Sequence, residues 1–282
     1  MLNKRFLIAF YLILIFSIGL SCIVLGQGGG EVDKFIKDLS SPDDDTRHSA
    51  AWALGNLGNQ KAVQPLIKAL SDKNENVRAI SAESLGKLKA EEAVEPLILR
   101  LEDPNWAVRV DAASALAKIG DKKAVPPLIK LLQDEDETVR ATAVEALGSL
   151  KATSAIEPLC KALKDPEERV RQTAAKALGD IGDPQAIKPL GEALLKDKDD
   201  IVKIGALESL KKIKSKETYQ YIIKALNDNN AIVRSVAVNV LSIIGDKSCI
   251  TALEKRKAIE EDPEMKKEID KAIQTIEKSS EN

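Results

Sequence analysis

Three kinds of residue are scarce in this 282-residue chain, and each scarcity excludes something. Aromatic residues make up only 3% of the sequence. Beyond residue 30 they reduce to Phe35, Trp52, Trp106, Tyr219 and Tyr221, so the core is expected to be built of Ala, Leu, Ile and Val. Histidine occurs once, at His48 beside Arg47. One histidine cannot form a multi-histidine metal centre, and no recognisable motif pairs it with a nucleophile. Cysteine occurs three times, at Cys22, Cys160 and Cys249. Cys160 stands where other repeats have Ile and reads as a small core residue; Cys249 stands where others have Ala. These two lie three repeat units apart, which at ~10 Å per helical layer exceeds the ~7 Å a disulfide tolerates.

Other signals are missing as well. There is no Gly-rich phosphate loop and no Cys-x-x-Cys pair. Nothing alternates with period two over a useful length, so no sheet is expected. From residue 31 onward 40 basic side chains face 44 acidic ones, a net charge of −4. That is unlike the basic stripe that neutralises nucleic-acid phosphates, so nucleic acid is not expected as a ligand. No cofactor is called for.

What is present is a repeat. Prolines fall at Pro65, Pro96, Pro127, Pro158 and Pro189, each 31 residues after the last. A basic residue recurs at Arg47, Arg78, Arg109, Arg140, Arg171, Lys203, Arg234 and Lys266. Seven residues after each come Leu54, Leu85, Leu116, Leu147, Leu178, Leu210, Leu241 and Ile273. That makes eight units, the first and last degenerate, in a span of 31–278. A fixed period of this size is the mark of a repeat array.

Each unit reads as two helices. The first follows Ala-Val-x-Pro-Leu-Ile, as at Ala93–Ile98; the second runs from the basic residue through Ala-Ala-x-x-Leu-Gly, as at Arg171–Gly179. Apolar residues recur at i, i+3, i+4 and i+7. Gly58, Gly120, Gly182 and Gly245 come after the second helices and are expected to close them in the left-handed conformation. Asp121, Asp183 and Asp246 are then placed to cap the next helix, and Pro184 suits a first helical position. The recurring proline lies further in, predicting a one-turn lead-in and then a kink. One hairpin cannot bury its apolar face but stacked neighbours can, so the expected fold is an all-α solenoid.

The repeat resembles the HEAT-like family, in the short variant named for phycobilisome lyases, over about residues 31–276. The resemblance rests on Pro-Leu-Ile in the first helix and Asp-x5-Arg leading into Ala-x3-Leu-Gly in the second. In that family the Asp and Arg link successive repeats. Here they fall at Asp72 with Arg78, Asp103 with Arg109, Asp134 with Arg140, Asp165 with Arg171, Asp197 with Lys203, and Asp228 with Arg234. Ser41 and Glu260 replace the Asp in the end units, which suits caps. The resemblance implies a protein-binding scaffold. A HEAT-repeat di-iron hydroxylase needs several His-Glu pairs, which this chain lacks; a bilin-lyase-like enzyme subunit is the alternative. Asp43, Asp44 and Asp45 are explained by a helix start, and no metal site is expected there.

Binding residues are sought where the repeat is broken at exposed positions. Five residues after the basic residue the units read Trp52, Glu83, Ser114, Glu145, Lys176, Glu208 and Asn239. Three before it they read Asp44, Glu75, Trp106, Glu137, Glu168, Asp200 and Ala231. Trp52 and Trp106 are therefore expected to be exposed among polar neighbours, where tryptophan is a favoured anchor. The family places second helices on the concave face, giving a ridge of Glu83, Asp111, Ser114, Thr142, Glu145 and Lys176, with Lys87 and Lys118 a turn on. Its mixed sign favours a protein or peptide partner of a monomeric, non-catalytic scaffold.

Residues 1–26 stand outside the array. Lys4 and Arg5 precede Phe6–Leu25, twenty residues without a charge. Three readings stay open: a cleaved secretory signal, an uncleaved anchor, or a lipoprotein acceptor at Cys22. All three place the array outside the cytoplasm, secreted or anchored, with membrane contact only through this segment. Residues 27–30 read as a flexible linker and 279–282 as a frayed tail. The insertion near Lys196–Asp200 is expected to disturb the stacking locally.

Overall fold

The computed structural model describes residues 30–279. The expected signal or anchor, including Cys22, lies outside the described residues. The first helix, α1, covers 30–38, so helix begins already in the expected linker. Among the described residues there is no strand. The chain divides into two compact units, one ending at Ile119 and the other beginning at Gly120, a boundary the periodicity alone does not mark.

The first unit continues with α2 (Asp44–Leu57), α3 (Val63–Ala69), α4 (Glu75–Lys87), α5 (Val94–Arg100) and α6 (Trp106–Ile119). The second contains α7 (Val125–Leu131), α8 (Glu137–Ser149), α9 (Ile156–Ala162), α10 (Glu168–Ile181), α11 (Ile187–Lys196) and α12 (Asp200–Ile213), then α13 (Tyr219–Ala225), α14 (Ala231–Ile244), α15 (Ile250–Ile259) and α16 (Pro263–Ser279). Helix thus extends to Ser279, into the expected tail.

The lead-in to each first helix is a separate 3-10 turn, such as Gln60–Ala62 before α3. The recurring proline then falls in the opening turn of the α-helix, where N–H groups lack intrahelical acceptors, so the helix starts around the proline rather than kinking at it. Asp121, Asp183 and Asp246 cap these turns, accepting from Lys123, Gln185 and Ser248 N–H at 2.8–2.9 Å. Asp43, Asn74 and Asp136 cap second helices in the same way.

Gly58, Gly120 and Gly182 adopt positive φ, as the sequence predicts, but Gly245 does not. Its backbone is extended, at φ −69°, and its N–H donates to the Leu241 carbonyl at 2.8 Å. Its lack of a side chain serves that contact, since an added Cβ would collide with the Leu241 oxygen. The left-handed positions of other repeats are filled by Lys89, Lys151 and Lys214.

The core of the central repeats is the same pair of leucines. Leu66, Leu85, Leu97 and Leu116 in the first unit, and Leu128, Leu147, Leu159 and Leu178 in the second, are all fully buried. Each contributes roughly 2 kcal/mol by leaving water. Within each unit, second helices carrying a Leu-Gly step approach their successors closely. A Cβ on Gly86 would meet Ala115 Cα at 2.7 Å, and one on Gly179 would meet Ser209 Oγ at 2.5 Å. The buried hydroxyls at this seam cross the interface: Ser84 Oγ donates to Ala51 O and Ser209 Oγ to Ala175 O.

The Asp–Arg ladder runs diagonally. The sequence pairs each Asp with the Arg six residues later, but within each unit the ion pair joins the basic residue of one repeat to the acid of the next. Arg47 reaches Asp72, Arg78 reaches Asp103, Arg140 reaches Asp165 and Arg171 reaches Asp197, at 2.7–2.8 Å from Nε. Lys203 binds Asp228 at 3.1 Å, and Arg234 binds Glu260 at 3.3 Å. Within a repeat the contact is to the backbone: Arg78, Arg109, Arg140, Arg171 and Arg234 donate from Nη1 to the carbonyls of Asp72, Asp103, Asp134, Asp165 and Asp228. Hydrogen bonds from Arg47 hold the Asp72 carboxyl below its usual range; Arg78 and Arg140 pull Asp103 and Asp165 down against the opposing effect of burial.

Candidate partner-binding surface

Trp52 and Trp106 both stand in solvent. Trp52, on α2, is 53% exposed, and Trp106 is 49% exposed. The sequence places Trp106 in a loop; it is in fact the first residue of α6, with Asn105 Oδ1 accepting from the Ala107 N–H. A large apolar side chain held on a helix end, where the other repeats offer an acid, alanine or proline, is available for contact.

In the first unit the ridge position after Trp52 is Glu83 on α4, and then Ser114 on α6, both half-buried. Lys87 ties α4 to α2, its ammonium lying 3.0 Å from Glu83 and 3.1 Å from Asn56 Oδ1. Asp111 on α6 is half-buried, and its carboxyl is pushed up to about 6. Burial is the main cause, the charge of Glu83 adds to it, and Lys118 opposes it. Trp52, Glu83, Asp111 and Ser114 therefore share one face of three successive second helices, with an acid poised to take a proton in mildly acidic solution.

In the second unit the same register carries Glu145, Lys176 and Glu208. They border a recess of about 340 Å3 together with Thr173, Ser209 and Lys212. Gly205 opens this recess; a Cβ there would find only Ala175, at 3.8 Å. Lys212 is held by Asp180 at 2.7 Å. The sequence marks neither the recess nor Gly205, because the glycine breaks no helical pattern.

A larger groove, of about 830 Å3, lies along α9 and α11. Cys160 lines it and is half-buried, as are Ile67, Ile98 and Ile129 at the same repeat position. Burial pushes its thiol up, so it is not an activated thiolate. Cys249 is fully buried.

Of the remaining chemical candidates, Asp43 and Asp44 make structural bonds. Asp43 accepts from the Thr46 N–H at 2.9 Å and Asp44 binds the Arg47 guanidinium at 2.6 Å. His48 is partly buried near the start of α2. Among the described residues no group of three His, Cys, Asp or Glu is arranged to hold a metal ion, and no helix is long and apolar enough to cross a membrane.

The comparisons with known proteins agree with this architecture. A family model described as HEAT repeats matches residues 32–98, 94–162, 138–211 and 187–274. The chain is similar to a chain in the complex of CpcE and CpcF of phycocyanin lyase from Nostoc sp. PCC7120, with 27% identity over 87% of this chain and 94% of that one, at a TM-score of 0.51. It is also similar to YibA of Escherichia coli, with 25% identity over 87% and 92% of the two chains and a TM-score of 0.61. An engineered protein shares the fold at 24% identity, over 88% and 79% of the chains, with a TM-score of 0.55. No curated protein matches significantly. With its helix pairs, its cross-repeat ladder and a family match spanning nearly all described residues, the chain belongs to the HEAT-repeat family.

Proposed function

We propose that this protein is a non-catalytic interaction scaffold that binds a protein or peptide partner through its second-helix ridge. The observation that carries this reading is the exposure of Trp52 and Trp106 at positions where sister repeats are polar or small. Exposed tryptophan is otherwise costly to solubility and is a favoured anchor at interfaces. Glu83, Asp111 and Ser114 are polar contacts beside them in the first unit, and Glu145 holds the same register in the second. The scaffold works as a monomer outside the cytoplasm, secreted or held to the outer face of a membrane by residues 1–26. The support for this is the uncharged stretch Phe6–Leu25 behind Lys4 and Arg5.

The test is capture of partners from a native membrane extract by wild-type protein and by a Trp52→Ala/Trp106→Ala variant. The scaffold reading predicts an almost unchanged thermal transition and abolished capture. A strong shift in unfolding with capture intact makes the tryptophans structural. Fractionation of intact cells with antibody detection tests export; recovery in the cytosol contradicts it.

A second reading has one observation in its favour, the 27% identity to a chain of a phycocyanin lyase complex. Under it the protein is a HEAT-like subunit of an enzyme assembly of bilin-lyase type. It predicts a native complex carrying a visible absorbance band and a catalytic subunit. A colourless complex without lyase activity excludes it.

A further inference from the structure

The groove along α9 and α11 coincides with a run of departures from the repeat. Two residues after the repeat proline, the first helices carry Ile67, Ile98 and Ile129. The next two carry Cys160 and Gly191. At Gly191 the missing volume is replaced: Tyr221, near the proline position of the next repeat, lays its ring on the α11 backbone, so that an added Cβ would collide with its Cδ1. At Cys160 it is not replaced. The residue that stands one repeat before Tyr221 is Pro189, and Cys160 and Pro189 both line the open groove. In addition, α11 runs for ten residues where α3, α5, α7, α9 and α13 run for seven, extending one wall by a turn.

The floor is apolar, formed by Leu163, Pro166, Pro189 and Ala193. The charges at the rim are unbalanced. Asp165 is taken up by Arg140, Asp197 by Arg171, and Glu157 by Lys161. What is left is Glu192 against the exposed Lys164, Lys188, Lys196 and Lys198. An apolar trough flanked by four uncommitted ammonium groups complements an acidic segment with apolar anchors.

We propose that the groove between α9 and α11 is a docking site for an acidic, apolar-anchored peptide segment of a partner protein. A polyanion is disfavoured by the chain's overall negative charge and by the apolar floor, which phosphates do not use. The site lies on the first helices and does not depend on the tryptophan ridge.

The experiment is selection of phage-displayed random dodecapeptides on the full chain, with fluorescence anisotropy of the recovered peptides. Wild-type protein is expected to enrich peptides rich in Asp and Glu around aliphatic or aromatic residues. Lys188→Glu/Lys196→Glu should weaken them at least tenfold with an unchanged melting profile, because both lysines are exposed. Cys160→Ile, which restores the residue used in α3, α5 and α7, should weaken them at least fivefold by filling the trough. Trp52→Ala/Trp106→Ala should bind them as wild type does, so failure here and failure of the ridge reading are separable. Recovered peptides without acidic bias, or equal binding by the lysine and cysteine variants, overturn the proposal. So does displacement of the peptides by phosphatidylserine vesicles or a single-stranded DNA 20-mer at lower concentration than an unlabelled peptide requires.

Discussion

Arg78 grips Asp103 with two parallel bonds, from Nε and Nη2 to the two carboxylate oxygens, each 2.8 Å long. The pair joins one repeat to the next across 25 residues of chain, and the Asp103 side chain is almost wholly buried. Removing Arg78 leaves the buried carboxylate without its two-bond partner, with only the longer Arg100 contact at 3.8 Å to offset its charge. Arg78→Met should therefore cost about 3 kcal/mol in chemical denaturation, and Arg78→Met/Asp103→Leu should recover much of the loss. Lys73→Ala, which breaks an exposed pair with Asp44, should cost about 0.5 kcal/mol or less. Equal costs for the two single variants would contradict a stabilising role for the ladder.

Glycine has opposite meanings at two positions on second helices. Gly86→Ala drives a Cβ to 2.7 Å from the Ala115 backbone and should destabilise by about 2 kcal/mol. Gly205→Ala meets only a methyl group at 3.8 Å and should stabilise by about 1 kcal/mol through helix propensity. Urea titration of both variants decides the matter; destabilisation by Gly205→Ala would show that the recess is filled in solution.

Lys89 and Lys151 hold the left-handed conformation at φ 49° and 48°. Replacing each by Gly removes the Cβ clash and should raise stability by up to about 1 kcal/mol, net of the added freedom of the unfolded chain. A loss of stability in both variants would mean the lysine side chains contribute contacts of their own.

Stability should fall toward both ends of the acidic range, for different residues. Lys216, then Ser248, holds Asp246 down to about 2, and Arg256 holds Glu260 down to about 2. Their contribution is complete above the ordinary carboxylate range of about 4 and is lost as pH drops toward 2. Asp111 works the other way. With its folded value raised to about 6, it favours the native state most below about 4 and loses that advantage as pH rises through 6. Asp111→Asn should match wild type at pH 4 and exceed it by about 1 kcal/mol at pH 7. Carbon-detected NMR titration should show the Asp111 midpoint dropping in Glu83→Gln; an unmoved midpoint would remove Glu83 as a cause.

Most of the fold was legible because the repeat is written in residues whose roles are local. A Leu seven after each repeat basic residue from Arg47 to Arg234, and an Asp behind Gly120, Gly182 and Gly245, dictate a core contact and a cap, whereas the recurring proline gave the period but not the helix start it marks. The ladder residues were legible too, but not their partners. Spacing along the chain does not reveal that Arg78 bonds only the backbone carbonyl of Asp72 and gives its ion pair to Asp103. Gly245 misled because a glycine after a helix implies positive φ, whereas here it permits contact with the Leu241 carbonyl. The exposure of Trp52 and Trp106 could be read from register. The groove could not, because Cys160 fits a core pattern in one dimension; the gap exists only where it meets Pro189 beside a helix lengthened to Lys196.

The most direct test of the account is a paired measurement on wild type and Trp52→Ala/Trp106→Ala: thermal unfolding by circular dichroism, and quantitative partner capture from native membranes on the same preparations. The account predicts superimposable unfolding curves and loss of capture in the variant. Unfolding shifted by several degrees with capture undiminished would contradict it.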